Sequence, residues 1–346
     1  GTLGVTGVLT ATSLDISGAI DVDGVSNLDV IDVDGAANFG ADVTIAAGAD
    51  FLTASAGTSN FRAGVNAGNS IASGGNYNTV VGDEAGTAIS TGDVNTFVGY
   101  QSGDATTTSG NNVGVGYASL GTNILSSKNV AVGNNALKTH NLASAGNALN
   151  VAVGHGAGEE ITTGIGNTLI GGECGDALTD ADYNVAVGYL ALGTDTKGDR
   201  SVAIGLGALA TQNFTSVTTT RNTAVGDNAG YSVTTGTNNT LIGALAGDAI
   251  TTGVNNSCLG SGSGGAVTTG GYNVGVGDAS LPTVTTGNRN FSIGRYAGYG
   301  ITTSGDNVII GYAAGYANGG SNQLTSGYSN TLLGNYTNVA ASGNAV

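Results

Sequence analysis

The 346-residue sequence contains no methionine, no tryptophan and one proline, and charged residues make up only 9% of it. An average protein has about 25% charged residues. The common disordered class combines high net charge with few apolar residues, and a chain with 40% hydrophobic residues falls outside it. No run of 18 apolar residues occurs, so we expect no membrane insertion.

Basic residues are also scarce, with 8 Lys and Arg against 24 Asp and Glu and a formal net charge of −16. A surface of this sign repels a phosphate backbone, so we expect no nucleic-acid partner. His140 and His155 are the only histidines, and neither belongs to a triad or metal-ligand pattern. The only cysteines, Cys174 and Cys258, lie five repeats apart, roughly 24 Å at strand spacing. A disulfide needs Cα atoms within about 7 Å, so we expect both thiols to be free and enclosed.

Glycine, in contrast, is abundant at 63 residues, and much of it belongs to one repeated phrase. Fifteen copies of Asn-x-x-(Val/Ile/Leu)-Gly align, and eleven of the fourteen intervals between their glycines are 17 residues. Two intervals are 21 residues and one is 23. The extra residues, near 138–149, 210–221 and 317–330, are therefore insertions into a fixed 17-residue repeat. A short sustained period predicts a solenoid in which each repeat is one coil.

Positions in the coil are numbered from this glycine as zero. We predict that the residues at −1 and −3 point inward, as they share a strand face, and that +3 is a crowded inner corner. A usually aliphatic residue at +7 predicts a second short strand near +6 to +9, while +1 and +2 face solvent. The asparagine at −4, replaced once by Ser201, is expected to stack its amide on the next coil, with a ligand-binding row as the alternative. Representative structural positions are Asn239, Ile242, Gly243, Ala246, Asn256, Leu259 and Gly260.

The predicted fold is therefore all-β, a parallel β-solenoid or β-roll with two short strands in each ~17-residue coil. The roll is assigned to residues 76–346, and the closing GNAV predicts that it continues past residue 346. Residues 61–75 are predicted to be a transition, and residues 1–60, with phrases such as IDVDG at 20–24 and 31–35, a narrow β-structured shaft.

The shaft carries eight aspartates before the first basic residue, Arg62. Clustered carboxylates suit Ca²⁺ or another hard cation, although the full calcium-loop pattern is absent. The alternative is an acidic strand edge that blocks stray pairing. The sequence predicts no other cofactor.

The segments NVAVGNNAL (129–137), NVAVGYLAL (184–192) and SVAIGLGALA (201–210) resemble the head repeats of trimeric autotransporter adhesins. The phrases GYAAGY and NTAVGDNAGY are more similar to repeats of phage tail-fibre and related virion fibre proteins. Both resemblances cover about residues 76–346 and imply a parallel β-roll assembled as a homotrimer. They also imply an extracellular location, with other virion or fibre proteins as partners.

Chemistry-bearing patterns are weak. The neighbouring carboxylates Asp83–Glu84 and Glu159–Glu160 would point to opposite faces of a strand, so we expect no enzyme activity. The Thr-Thr pairs favour strand structure over an ice-binding ladder. Tyrosines concentrate near the C-terminal end, and exposed aromatic rings beside Asn, Gln and Ser suit carbohydrate. Their alternative role is to stack on one another between coils. The candidate glycan contacts are Tyr296, Tyr312, Tyr316, Tyr328 and Tyr336.

Together, these features favour a rigid spacer in a phage tail fibre or virion appendage, with host-surface polysaccharide as a further partner. The alternative is the head of a bacterial trimeric surface adhesin.

Overall fold

A computed structural model describes residues 55–316 and 327–338. It is an all-β, parallel β-solenoid, and its strands are two or three residues long. The strands are β1 (Phe61–Ala63), β2 (Thr79–Val81), β3 (Thr96–Val98), β4 (Val113–Val115), β5 (Ser126–Ser127), β6 (Val130–Val132), β7 (Gly146–Asn147), β8 (Val151–Val153), β9 (Thr168–Ile170), β10 (Val185–Val187), β11 (Gly198–Asp199), β12 (Val202–Ile204), β13 (Thr218–Thr219), β14 (Thr223–Val225), β15 (Thr240–Ile242), β16 (Ser257–Leu259), β17 (Val274–Val276), β18 (Phe291–Ile293), β19 (Val308–Ile310) and β20 (Thr331–Leu333).

Sixteen of these strands form one parallel sheet, and each pairs with the corresponding residues of the next coil. Thr240 lies beside Ser257, for example, and Ile242 beside Leu259. The predicted stacking of coils in a fixed frame is therefore confirmed.

The prediction of two strands in every coil is wrong. Among the described residues, only the segment from −3 to −1 is a strand in every coil. The two further strand pairs, β5–β7 and β11–β13, begin at +10 or later, past the predicted +6 to +9 segment. Elsewhere one carbonyl oxygen serves several amides: Thr251 O accepts from the N–H groups of Thr234, Thr235 and Gly236 at 2.9, 3.3 and 3.1 Å. This segment is therefore a bend rather than a strand, although its +8 N–H group still donates to the next coil.

The predicted inward face is also wrong. The residue at −2 is buried, while those at −1 and −3 lie on the outer face of the sheet. Leu241 is fully buried, whereas Ile242 and Leu259, both at −1, are 37% and 48% exposed. The reason is the period of two in a strand: the asparagine at −4 is itself buried, so −2 must share its side. Ala246, at +3, is buried as predicted.

The narrow core is filled by compensation between positions −2 and +4. Where +4 is glycine, −2 is often large, as in Phe97 with Gly103 and Leu241 with Gly247; where +4 is leucine, −2 is small, as with Leu192. A Cβ on Gly103 would lie 2.4 Å from the Phe97 ring. Five leucines fill the core from +4 in left-handed conformation, and all are fully buried: Leu120, Leu137, Leu192, Leu209 and Leu281.

The asparagine row is a buried hydrogen-bonded ladder, as the stacking prediction required. The Asn256 Nδ2 donates to Asn239 Oδ1 at 3.1 Å and to the Gly270 carbonyl at 2.9 Å. In the next coil, Asn273 donates from both its backbone N–H and its Nδ2 to Asn256 Oδ1, each at 3.1 Å. Each amide therefore joins two coils and also closes its own coil.

The ladder has one break, at Ser201, and a glutamine bridges it. Gln212 Nε2 donates to Ser201 Oγ at 2.9 Å, and Gln212 Oε1 accepts from Asn222 Nδ2 at 2.8 Å. The same Gln212 amide also donates to the fully buried carboxylate of Asp195 at 2.5 Å. Gln212 and Asp195 occupy +7 in adjacent coils, where most coils have an aliphatic residue.

The zero-position glycines hold the coils at close approach. Gly243 and Gly260 have φ of +131° and +136°, which only glycine adopts readily. A Cβ on Gly243 would lie 2.6 Å from the backbone of Gly260. Any side chain at this position would therefore separate neighbouring coils.

The solenoid begins earlier than predicted. Residues 61–75, assigned to a transition, contain β1, which pairs in parallel with β2. This coil does not match the repeat pattern, because Ala63 stands before its glycine in place of Val, Ile or Leu, and Arg62 occupies the inward position. Most of the predicted acidic shaft, with its candidate cation site, lies outside the described residues, as does the chain after residue 338.

Candidate functional site

Nine of the 13 tyrosines lie along one side of the solenoid, at positions +1, +2 and +5. This side is called the turn face, because these positions belong to the turn that follows the sheet. Here the residues at +2 and +4 adopt left-handed backbone conformations. The nine are Tyr100, Tyr117, Tyr189, Tyr231, Tyr296, Tyr299, Tyr312, Tyr316 and Tyr336.

Four of the five predicted contact tyrosines meet around one cleft on this face. Tyr296, Tyr312, Tyr316 and Tyr336, with Ala313, line a volume of about 230 Å³. This C-terminal cleft has room for roughly one small ring, since drug-sized pockets begin near 300 Å³. Tyr328 is not among its lining residues; its hydroxyl lies 3.5 Å from the Thr303 carbonyl oxygen.

The rings around the C-terminal cleft pack edge to face. Ring centroids are 5.3 Å apart for Tyr312 and Tyr336, at an interplanar angle of 79°, and 4.8 Å apart for Tyr299 and Tyr316. This geometry is the favoured one for aromatic pairs. Stacking between coils, the alternative role, is thus present in the same side chains that line the cleft. Tyr299 was not among the predicted contacts, although its +5 position matches that of Tyr316.

A hydrogen-bonded tyrosine pair and one arginine accompany the C-terminal cleft. A hydrogen bond with Tyr312, followed by burial, raises the pKa of Tyr336. The Arg295 guanidinium lies 4.5 Å from the Tyr296 ring centroid, donates from Nη2 to its hydroxyl at 3.0 Å, and donates from Nε to Asp278 at 2.9 Å. A cation over an aromatic face restrains that ring.

The cysteines, the +8 threonines and His140 lie outside both the turn face and the C-terminal cleft. Cys174 and Cys258 are free and buried, as predicted, and burial raises the pKa of each thiol to about 12. The +8 threonines donate to the next coil, as Thr251 Oγ1 does to the Thr268 carbonyl at 3.2 Å. His140 is fully buried at +7, and burial lowers its pKa to about 4.

Within the described ranges, no group of three or more His, Cys, Asp or Glu side chains is arranged to hold a metal ion. No helix in that part of the chain has the length and hydropathy to cross a bilayer. Comparisons with protein-family models, curated proteins and solved structures found no match.

Proposed function

We propose that the protein is a structural segment of a phage tail fibre or similar virion appendage, a rigid spacer that assembles as a homotrimer and contacts host-surface glycan. The observation that carries this proposal is the apolar outer face of the sheet. It supports self-association because a parallel sheet is normally covered on both faces.

This outer face consists of positions −3 and −1 in the fifteen aligned coils. Position −1 is Val, Ile or Leu in every coil, position −3 is Val, Thr, Ser or Phe, and neither row contains a charge. Exposed fractions reach 42% at Ile170, 48% at Leu259 and 62% at Leu333. Continuous apolar strips of this length are rare on monomers and mark interaction surfaces.

A second copy of the chain is the partner that fits this face best. Sixteen paired strands at ~4.8 Å spacing extend roughly 70 Å, and the apolar residues recur at every coil. Another copy has the same spacing and the same lack of charge. A standard interface buries about 800 Å² per partner, which requires roughly 50 Å² from each of fifteen coils. The aliphatic side chain at −1 and the uncharged side chain at −3 together supply an area of that order.

Three copies around one axis would cover each face with its neighbours and leave the turn faces outward. Self-association would also add stability that a roll with few core side chains per coil lacks. The C-terminal cleft is then available to a sugar ring, with the tyrosine rings for stacking and their hydroxyl groups for hydrogen bonding. No catalytic step is proposed.

Sedimentation equilibrium tests the assembly directly. We expect a mass three times the chain's 33.4 kDa. The double variant Ile242→Glu/Leu259→Glu should sediment as one chain while keeping its β-type circular dichroism. Thr235→Glu, on an exposed position away from the sheet, is the matched control and should leave the trimer intact. A parent chain that remains single at high concentration would contradict the proposal.

A further inference from the structure

A second cleft opens on the turn face around Tyr231. One compartment, of about 390 Å³, is lined by Asn228, Tyr231, Ser232, Leu245 and Asp248. A neighbouring compartment of about 240 Å³ shares Asn228 and Tyr231, so the two compartments adjoin at these residues. Its other lining residues are Tyr189, Leu190, Gly193, Thr194, Leu206, Gly207, Ala210 and Thr211.

The second compartment exists because three positions before Tyr231 carry little or no side chain. Position +5 is Gly193 and then Ala210 in the two preceding coils, and position +2 is Gly207 in the second of them. The Tyr231 ring, 45% exposed, therefore has open space on that side. Thr211, within the insertion, donates from Oγ1 to the Tyr231 carbonyl at 2.6 Å and fixes the backbone beneath the ring.

The two compartments differ in chemistry. The first places an amide, a hydroxyl and a carboxylate, all half-buried, beside the ring. Backbone N–H groups of Asp248 and Ala249 hold that carboxylate, whose pKa is nevertheless raised by burial. The second compartment is mainly aliphatic and aromatic, with Tyr189, 51% exposed, on its far wall. Neither compartment contains a cationic side chain.

We propose that this cleft binds a neutral oligosaccharide, with one sugar residue in each compartment and Tyr231 between them. The apolar face of a sugar ring stacks on an aromatic ring, while neighbouring hydroxyl groups require the paired donors and acceptors that Asn228, Ser232 and Asp248 provide. An anionic sugar is disfavoured because the only charged lining group is Asp248 and the chain carries a net charge of −16.

The inference deepens the proposed glycan contact, on which it rests. Tyr231 and Tyr312 lie on the same turn face, five coils apart, or roughly 24 Å at strand spacing. A linear polysaccharide lying along the solenoid could therefore contact both clefts in one chain, which strengthens attachment without new contacts at either site.

The absence of tryptophan provides the test. Tyr231→Trp keeps an aromatic wall and introduces the only indole, whose fluorescence reports on the cleft. The probes are the trisaccharides and hexasaccharides of glucose, galactose and N-acetylglucosamine. We expect a saturable change in emission with at least one of them, and at least a tenfold weaker affinity after Asn228→Ala or Asp248→Ala in the same background.

Tyr117→Trp is the matched control, since Tyr117 lies on the same face but stacks on Tyr100 at 5.8 Å. It should give no saturable change. If no probe produces a saturable signal in the Tyr231→Trp variant, or if the Asn228 and Asp248 substitutions leave affinity unchanged, the inference is overturned. A Tyr312→Ala/Tyr336→Ala variant changes the C-terminal cleft and leaves the Tyr231 cleft intact. Sedimentation of this variant tests assembly, and its titration tests glycan contact at the C-terminal cleft. Failure of the Tyr231 cleft is therefore distinguishable from failure of the fibre assignment.

Discussion

Replacement of one ladder asparagine tests how the coils are held together, and Asn256→Ala is the cleanest case. The side chain makes four hydrogen bonds, two as donor and two as acceptor. After the substitution, Asn239 Oδ1 still accepts from the Asn256 backbone N–H at 3.0 Å, and Asn273 Nδ2 still donates to Gly287 O at 2.9 Å. The Gly270 carbonyl and the Asn273 backbone N–H lose the bonds that Asn256 gave them.

Each buried group left without a partner costs about 1–3 kcal/mol, so we expect the free energy of unfolding to fall by about 2–6 kcal/mol. Urea denaturation followed by circular dichroism measures this change. The control is Asn134→Ala, an exposed asparagine at +1, which should change stability by less than about 0.5 kcal/mol. Equal stability of the two variants would show that the ladder is not a significant source of cohesion.

The native break at Ser201 supplies a rescue for the same experiment. Gln212 lies 11 residues after Ser201, and Val267 is the corresponding position after Asn256. Asn256→Ser alone should be destabilising. Adding Val267→Gln should recover part of the loss, because its amide can bridge the shortened side chain as Gln212 does. If the double variant loses more free energy of unfolding than the two single variants lose together, this role for Gln212 is contradicted.

Two further substitutions probe the core. His140→Leu should remove an acid-sensitive residue, because burial lowers the pKa of His140 from 6.5 to about 4. The free energy of unfolding of the parent should fall by about 3 kcal/mol between pH 6.5 and pH 4. That of the variant should not, and urea midpoints measured across this pH range will show the difference. Gly103→Ala should be destabilising by several kcal/mol more than Gly262→Ala in thermal unfolding. Both glycines have φ of +59°, but only the first would direct its Cβ into a ring, that of Phe97; equal losses would contradict the proposed packing.

The period of the coil was predictable because glycine at zero and asparagine at −4 are backbone requirements that tolerate little substitution. The inward face was not predictable, because a valine, isoleucine or leucine at −1 in every coil has the hydrophobicity expected of a core residue. In the folded coil this residue lies on the outer face of the sheet. Position −2 varies from Gly114 to Phe97, and this variation becomes intelligible only when the compensating +4 residue is seen in three dimensions.

The C-terminal tyrosine cleft was predictable in part, since Tyr296, Tyr312 and Tyr336 occupy the +1 and +2 positions that were expected to face solvent. The Tyr231 cleft was not, because it depends on small residues in the two preceding coils, Gly193, Gly207 and Ala210. This pattern is recognised only when the +5 residues of successive coils are compared with one another.

Thiol reactivity at neighbouring positions tests the central structural claim most directly. Cys258 lies at −2 and is buried, and Leu259, at −1, faces outward. With maleimide under native conditions, we expect Cys174 and Cys258 to stay unmodified. A Leu259→Cys thiol should react rapidly in the Ile242→Glu background, once sedimentation shows that this background is a single chain, and slowly in the assembled parent. Rapid modification of Cys258, with a Leu259→Cys thiol protected even in the single chain, would show that the aliphatic row faces inward and would contradict both the fold account and the proposed interface.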